Sequence, residues 1–237
     1  MTFSNAVVTG AAGGIGRALA ARLHSDGAKV LLADVDETAL AATAADLGAD
    51  AHPTDVSDPA RMHALAAAMP DVDLLCLNAG IVGADLGAPW EVSPDDWNRV
   101  FSVNVGGVVN GLRAFVPRML AADRPAHILI TASLAGLVTF PGGGAYAASK
   151  HAVVAVAEQA ALTLADTPIG VTLLCPALVR TGMSAEGEDP DVIADQALAA
   201  VRTGAFAVVP GEWDAAITDR AQRLATGAPP RMPSPTD

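Results

Sequence analysis

Short apolar runs alternate with alanine-rich stretches along most of the chain. Seven runs stand out: "AVVT" from residue 6, "KVLLA" from 29, "ADAH" from 49, "VDLLCLN" from 72, "AHILITA" from 126, "GVTLLC" from 170 and "FAVV" from 206. Most are unbroken apolar runs rather than strict alternations. That is the pattern of parallel strands covered on both faces. Ten or more residues separate most of them, enough for a crossover helix. The expected fold is α/β: a Rossmann-type, doubly wound parallel sheet of about seven strands with helices on both faces.

Two helices announce themselves by their starts. At "SPDDW", Ser93 is placed to cap, Pro94 fits the first helical position, and Asp96 completes a capping box. A second helix is expected to begin near Gly144 and to run through "AYAASKHAVVAVAEQAALTLA". Its "VVAV" is apolar enough either to meet another subunit or to be a buried crossover. The end, "ATGAPPRMPSPTD", is rich in proline and polar residues and is expected to fray. One domain is therefore expected over residues 1–225, with 226–237 as a flexible tail.

Composition narrows the function. The formal charge is −12. A binder that tracks a nucleic-acid backbone needs a basic surface, and an anionic membrane surface would repel this chain, so neither partner is expected. No apolar run reaches membrane-spanning length, and the first residues lack a basic segment before an apolar one, so a cytoplasmic location is expected. Cys76 and Cys175 stand singly inside apolar runs and read as reduced core residues. The five histidines show no ligand spacing, so no metal is expected.

The first strand runs straight into "TGAAGGIG", residues 9–16, and then into a helical stretch. Glycines at 10, 14 and 16 would let backbone N–H groups approach a pyrophosphate, and the helix N-terminus adds a favourable dipole. The second strand ends at Asp34, eighteen residues after Gly16. An acidic residue there can accept hydrogen bonds from the adenosine ribose. It would also repel a 2′-phosphate: a like-charge contact near 4 Å costs about 4 kcal/mol per charge product at an effective dielectric of 20. NAD is therefore expected over NADP, with Arg17 the only nearby cation that could blunt the effect.

The chain has one tyrosine, Tyr146, and it stands four residues before Lys150, one of only two lysines. Residues four apart share a helical face, so phenol and ammonium can converge. A general base must work near neutrality, but a free tyrosine titrates near pH 10. Lowering that by two to three units takes roughly 3–4 kcal/mol, which one nearby cation supplies in a partly buried site. Thirteen residues upstream, Ser133 closes the strand "HILITAS", where a hydroxyl can hold a substrate oxygen.

Taken in order, "TGAAGGIG", Asp34, "DV" at 55–56, "NAG" at 78–80, "NVGG" at 104–107, Ser133, "YAASK" at 146–150 and "PALVRT" at 176–181 resemble the short-chain dehydrogenase/reductase family, in its short single-domain branch. The resemblance covers roughly residues 4 to 210. It implies Tyr146 as general acid/base, Lys150 on the nicotinamide ribose, and Ser133 on the substrate oxygen. Asn104 matches a helix asparagine that holds a water in a proton relay behind the lysine. The implied cofactor set is Gly10, Gly14, Ile15, Gly16, Asp34, Asp55, Val56, Asn78, Gly80, Tyr146, Lys150 and Thr181. Asp55 and Val56 would meet the adenine, and Thr181 the carboxamide. Leu77 and Ala177 depart from the family pattern, where Asn and Gly are usual.

The implied reaction moves a hydride between NAD(H) and an alcohol or ketone. The implied pocket includes Leu134, Ala135, residues 139–144, Ala177, Leu178 and an acidic flap at 182–192. These are small or apolar residues apart from the flap, so a small uncharged secondary alcohol or ketone is expected. A reductase of acyl-thioester-linked ketones and a non-catalytic NAD(H) sensor are the alternatives. The resemblance also implies a homodimer or homotetramer through the helix after Ser93 and the helix bearing Tyr146.

Overall fold

The computed structural model describes residues 2–182 and 184–236. β1 (Asn5–Thr9) feeds α1 (Gly14–Ser25), β2 (Lys29–Asp34) feeds α2 (Glu37–Leu47), and β3 (Asp50–Pro53) feeds α3 (Pro59–Ala68). β4 (Leu74–Leu77) is followed by α4 (Pro94–Phe101), a π turn (Ser102–Gly106) and α5 (Gly107–Ala122). β5 (Ala126–Thr131) leads to α6 (Gly144–Thr163), β6 (Ile169–Leu174) to α7 (Pro190–Thr203), and β7 (Ala207–Val208) to α8 (Asp214–Thr226). The strands form one parallel sheet in the order β3-β2-β1-β4-β5-β6-β7. The order reverses between β1 and β4, so a crevice opens at their C-terminal ends.

The continuous apolar runs are explained by two cores, one on each face. Val7, Leu75, Ile128 and Ile130 point to one side, against Leu65, Phe115 and Val153 of α3, α5 and α6. Val8, Leu74, Cys76 and Leu129 point to the other, against Leu19 and Leu23 of α1 and Ile193 and Leu198 of α7. Neighbouring residues of one strand therefore both need apolar side chains. β3 and β7 are the sheet edges, where pairing exists on one side only, and β7 is just two residues long. In "VVAV", Val153 is in the core, whereas Val154 and Val156 are partly buried against it.

At α4 the cap is half of what the sequence predicts. The Ser93 hydroxyl accepts from the Asp96 N–H, and Pro94 opens the helix. The Asp96 carboxylate does not return to Ser93. It accepts from the N–H groups of Asp85 and Ala84, and the Ser93 N–H goes to Asp85 instead. The reciprocal bond is lost because the preceding loop offers two donors to one buried carboxylate. Those donors, Asp85 first, hold the Asp96 carboxyl below its ordinary range.

The segment after α8, expected to fray, runs in extended form back along the helix. Thr236 donates both its N–H and its hydroxyl to the Glu212 carbonyl. No helix among the described residues is long and apolar enough to cross a membrane.

Candidate active site

The Gly-rich turn leaves β1 and enters α1. Gly10 has φ +68° and Gly14 φ +52°, a region that side chains rarely adopt. A Cβ at Gly16 would lie 2.0 Å from the Gly10 carbonyl oxygen, so the turn closes only without one. At Gly13 the same Cβ would meet nothing within 4 Å. The α1 N-terminus has no side-chain cap and no acidic residue in its first turn, which includes Ile15. Its N–H groups are thus presented to an anion, and the chemistry fits a pyrophosphate. Thr181 lies across from this turn, its Cγ2 2.8 Å from where a Gly14 Cβ would stand.

Asp34, at the end of β2, accepts from the Ala12 N–H at 3.0 Å and from the Asp36 N–H at 3.1 Å. Its carboxylate is therefore fixed beside the turn. Arg17, the cation that could have neutralised it, pairs with Asp46 at 3.2 Å.

The other expected nucleotide residues have structural duties as well. Asp55 closes a turn onto the N–H and hydroxyl of Ser57. The Val56 side chain packs towards Gly107 of α5, and its carbonyl accepts from Asn110. Asn78 is a clasp: its amide donates to the Thr9 carbonyl and accepts from the Thr131 hydroxyl, linking β1, β4 and β5 at the crevice. Leu77, in the unusual position, points into the core towards Gly111.

Deeper in the crevice stand the chemical groups. Lys150 is buried, donates to the Thr131 carbonyl at 3.2 Å, and lies 5.8 Å from the centre of the Tyr146 ring. A Cβ at Gly80 would come within 3.2 Å of both the Lys150 amine and the Asn104 side-chain oxygen, so only glycine leaves this spot open. The Ser133 hydroxyl accepts from the Ala135 N–H at 3.1 Å and is buried beside Tyr146. The loop that precedes α6 meets the β4–α4 loop in a bridge between Gly87 and Gly143. Of the expected flap, Met183 lies outside the described residues; its neighbours are tied by Thr181 with Ser184 and by Arg180 with Asp189 at 2.8 Å.

One expectation is corrected by the surroundings. The phenol was expected to be acidified by the ammonium. Burial instead pushes the Tyr146 phenol above its ordinary value, and a hydrogen bond with Ser133 offsets only part of that. Burial also pushes Lys150 down to about 8. Desolvation acts on both groups at once and weakens the cation that was to do the work.

Ser149 and Thr43, which the sequence reading passed over, help to hold the site together, alongside Asn104 and Cys175. The Ser149 hydroxyl donates to the Tyr146 carbonyl at 2.7 Å and accepts from Asn104 at 2.9 Å. Asn104, inside the π turn, also bonds both the N–H and the carbonyl of Ile81. The Thr43 hydroxyl reaches from α2 to the Ala12 carbonyl of the Gly-rich turn. Cys175 is fully buried beside Lys150 and Tyr146, its thiol pushed up to about 12 by burial. Ser149 and Thr43 lie within helices, where nothing in the local sequence marks either hydroxyl.

A switch-point crevice with an uncapped Gly-rich helix start and a buried Tyr–Lys–Ser group defines a nucleotide-dependent oxidoreductase class. A family model for short chain dehydrogenases matches residues 4–191. The chain belongs to that family. It is 44% identical over 191 residues to the 1-deoxy-11-beta-hydroxypentalenate dehydrogenase of Streptomyces avermitilis, a match covering 76% of this chain and 70% of that one. It is 36% identical over 200 residues to an uncharacterized NAD-dependent oxidoreductase of Mycobacterium tuberculosis, covering 75% and 72%. A crystal structure of a short chain dehydrogenase/reductase from Burkholderia phymatum in complex with NAD superposes with a TM-score of 0.91 at 37% identity, covering 98% of this chain and 97% of that one.

Proposed function

We propose that this oxidoreductase uses NAD(H) and acts on a small uncharged secondary alcohol or ketone, with Tyr146 as general acid/base. The observation that carries the reading is the buried group of Ser133, Tyr146 and Lys150 beside the open Gly-rich turn. When bound, the nicotinamide supplies the hydride acceptor or donor. The N–H groups at the start of α1 would hold the pyrophosphate, and Asp34 would accept from the adenosine ribose. A 2′-phosphate would face Asp34 with no free cation from Arg17, which supports NAD over NADP. Gly80 keeps open the spot beside the Lys150 amine, where a ribose would find room. Thr181 faces the same turn, which supports a contact with the carboxamide.

Ser133 orients the substrate oxygen, and Tyr146 gives or takes its proton. Because burial keeps the phenol neutral, it is ready as an acid for ketone reduction near pH 7, whereas alcohol oxidation gains as pH rises. The relative is named for a hydroxylated substrate, which supports an alcohol for this chain too, although that name is of a carboxylate and lends no support to an uncharged one. Partly exposed apolar residues on α5 and α6, among them Val116, Val154 and Val156, suit a homodimer or homotetramer.

The test is a panel of secondary alcohols and ketones followed by NADH absorbance, with NADP(H) in parallel, for the wild type and Tyr146→Phe. Turnover with NAD(H) should exceed that with NADP(H), and Tyr146→Phe should lose roughly 10²–10⁴-fold in kcat. NADH affinity of the variant should stay within about threefold, because one hydroxyl is removed and the Gly-rich turn is untouched. Undiminished turnover in Tyr146→Phe would exclude the proton-transfer role.

A further inference from the structure

The first turn of α6 carries Tyr146, yet this helix starts at Gly143 and Gly144 without a side-chain cap. Helix starts fray unless something outside the helix holds them. Here the β4–α4 loop does so. Gly87 bridges Gly143, and a Cβ at Gly144 would stand 2.9 Å from Val92 and 3.6 Å from the carbonyl oxygens of Asp85 and Gly87. Val92, Val100 of α4 and Ala145 of α6 also form a small buried cluster of their own, with Ile81 and Trp97 packed against it. The loop is fixed in turn by one carboxylate. Asp96 is 6% exposed and accepts the Ala84 N–H at 3.0 and 3.1 Å and the Asp85 N–H at 3.0 Å. Gly83 wraps over it at φ +101°, and a Cβ there would lie 2.5 Å from Asp96 Oδ2. A carboxylate that served α4 alone would bond back to Ser93, as in a capping box.

We propose that Asp96 is a positioning residue for the reaction: it fixes the β4–α4 loop, and through that loop it seats the first turn of α6 and the Tyr146 phenol. The proposal rests on the reading of Tyr146 as general acid/base. A carboxylate suits the task because it accepts several N–H bonds at once, and bonds to a charged acceptor are about twice as strong as neutral ones. Asparagine has the same shape but turns one acceptor into a donor, which would face the N–H groups of Ala84 and Asp85. With the loop released, the uncapped start of α6 loses its outside support. A displacement of about 1 Å at the reacting group can cost roughly 100-fold in rate.

Tyr146 is the one tyrosine of the chain, so labelling with meta-fluorotyrosine gives a single fluorine resonance that reports its setting without any substrate. In Asp96→Asn that resonance should shift or split. Gly83→Ala presses on the same carboxylate from the loop side and should do the same. Ser93→Ala removes the cap of α4 but keeps the loop bonds. It should lower the melting temperature while leaving the resonance and kcat unchanged. With the fastest alcohol of the panel, Asp96→Asn should lose roughly 10–100-fold in kcat, and NADH affinity should stay within about threefold. In the Tyr146→Phe background the same change should cost less than about twofold more, because a positioning effect vanishes with the group it positions. An unmoved resonance in Asp96→Asn, an equal shift in Ser93→Ala, or fully additive losses would each overturn the proposal. If Asp96→Asn fails to fold, Gly83→Ala and Asp96→Glu decide it by the same resonance, since both displace the loop. If no panel alcohol turns over, the dehydrogenase reading fails, while the fluorine spectra still decide whether Asp96 seats Tyr146.

Discussion

Lys150 is a buried amine that donates to the Thr131 carbonyl, with burial lowering its pKa to about 8. A folded-state value below the ordinary 10.5 means that the fold disfavours the charged form. The penalty is complete below pH 8 and is relieved as pH rises towards 10.5. At neutral pH the protein therefore carries a charge that lowers its stability for the sake of its chemistry. Lys150→Met should raise stability at pH 7 by about 1–2 kcal/mol, the removed desolvation cost less the lost hydrogen bond to Thr131. It should also abolish turnover. Thermal unfolding and NADH-coupled assays on the same sample check both halves, and a variant less stable than the wild type would mean that the amine is not under strain. Tyr146 and Lys150 could be picked out from their scarcity and spacing alone. Their proton affinities could not, because desolvation depends on Ser133, Cys175 and the strands packed around them.

The π turn between α4 and α5 aims a side chain at the site. It carries Asn104 inward, and the Asn104 amide then bonds the Ile81 N–H, the Ile81 carbonyl and the Ser149 hydroxyl. Irregular turns of this kind are frequent where a side chain must be redirected at a functional site. Asn104→Ala would leave the partly buried Ile81 N–H and carbonyl without these partners and would remove one of the two bonds of the Ser149 hydroxyl. A loss of about 2–4 kcal/mol in unfolding free energy is expected. NADH affinity should fall as well, since Ile81 follows the Gly80 opening; chemical denaturation and fluorescence titration measure the two effects. At this scale the helix starts were legible in part. Ser93 and Pro94 follow local rules, whereas the partner of Asp96 was set by loop donors eleven and twelve residues away.

Across the whole molecule, acid sensitivity has a definable source. His127, the second residue of β5, is almost fully buried and meets the Thr172 hydroxyl at 2.8 Å; Thr172 in turn donates to the Ala205 carbonyl. Burial pushes the His127 pKa down to about 4. The unfolded chain, with an ordinary value of 6.5, binds the proton first, so stability is full above pH 6.5 and is lost as pH falls towards 4. The slope approaches about 1.4 kcal/mol per pH unit, or about 3 kcal/mol in all. His127→Gln keeps a donor for Thr172 and should flatten the urea-denaturation profile between pH 6.5 and 4; an unchanged slope would place the acid sensitivity elsewhere, for example on Asp96.

The sequence by itself determined the layered sheet, the glycine turn after β1, the acidic end of β2 and the pairing of Tyr146 with Lys150. Each of these rests on short-range rules: strand faces, backbone freedom at a turn, and helical spacing. Only the tertiary structure decided the clasp of Asn78 across three strands, the engagement of Arg17 by Asp46 and the direction in which the phenol titrates. Those depend on desolvation and on contacts between residues far apart along the chain, which no local pattern encodes.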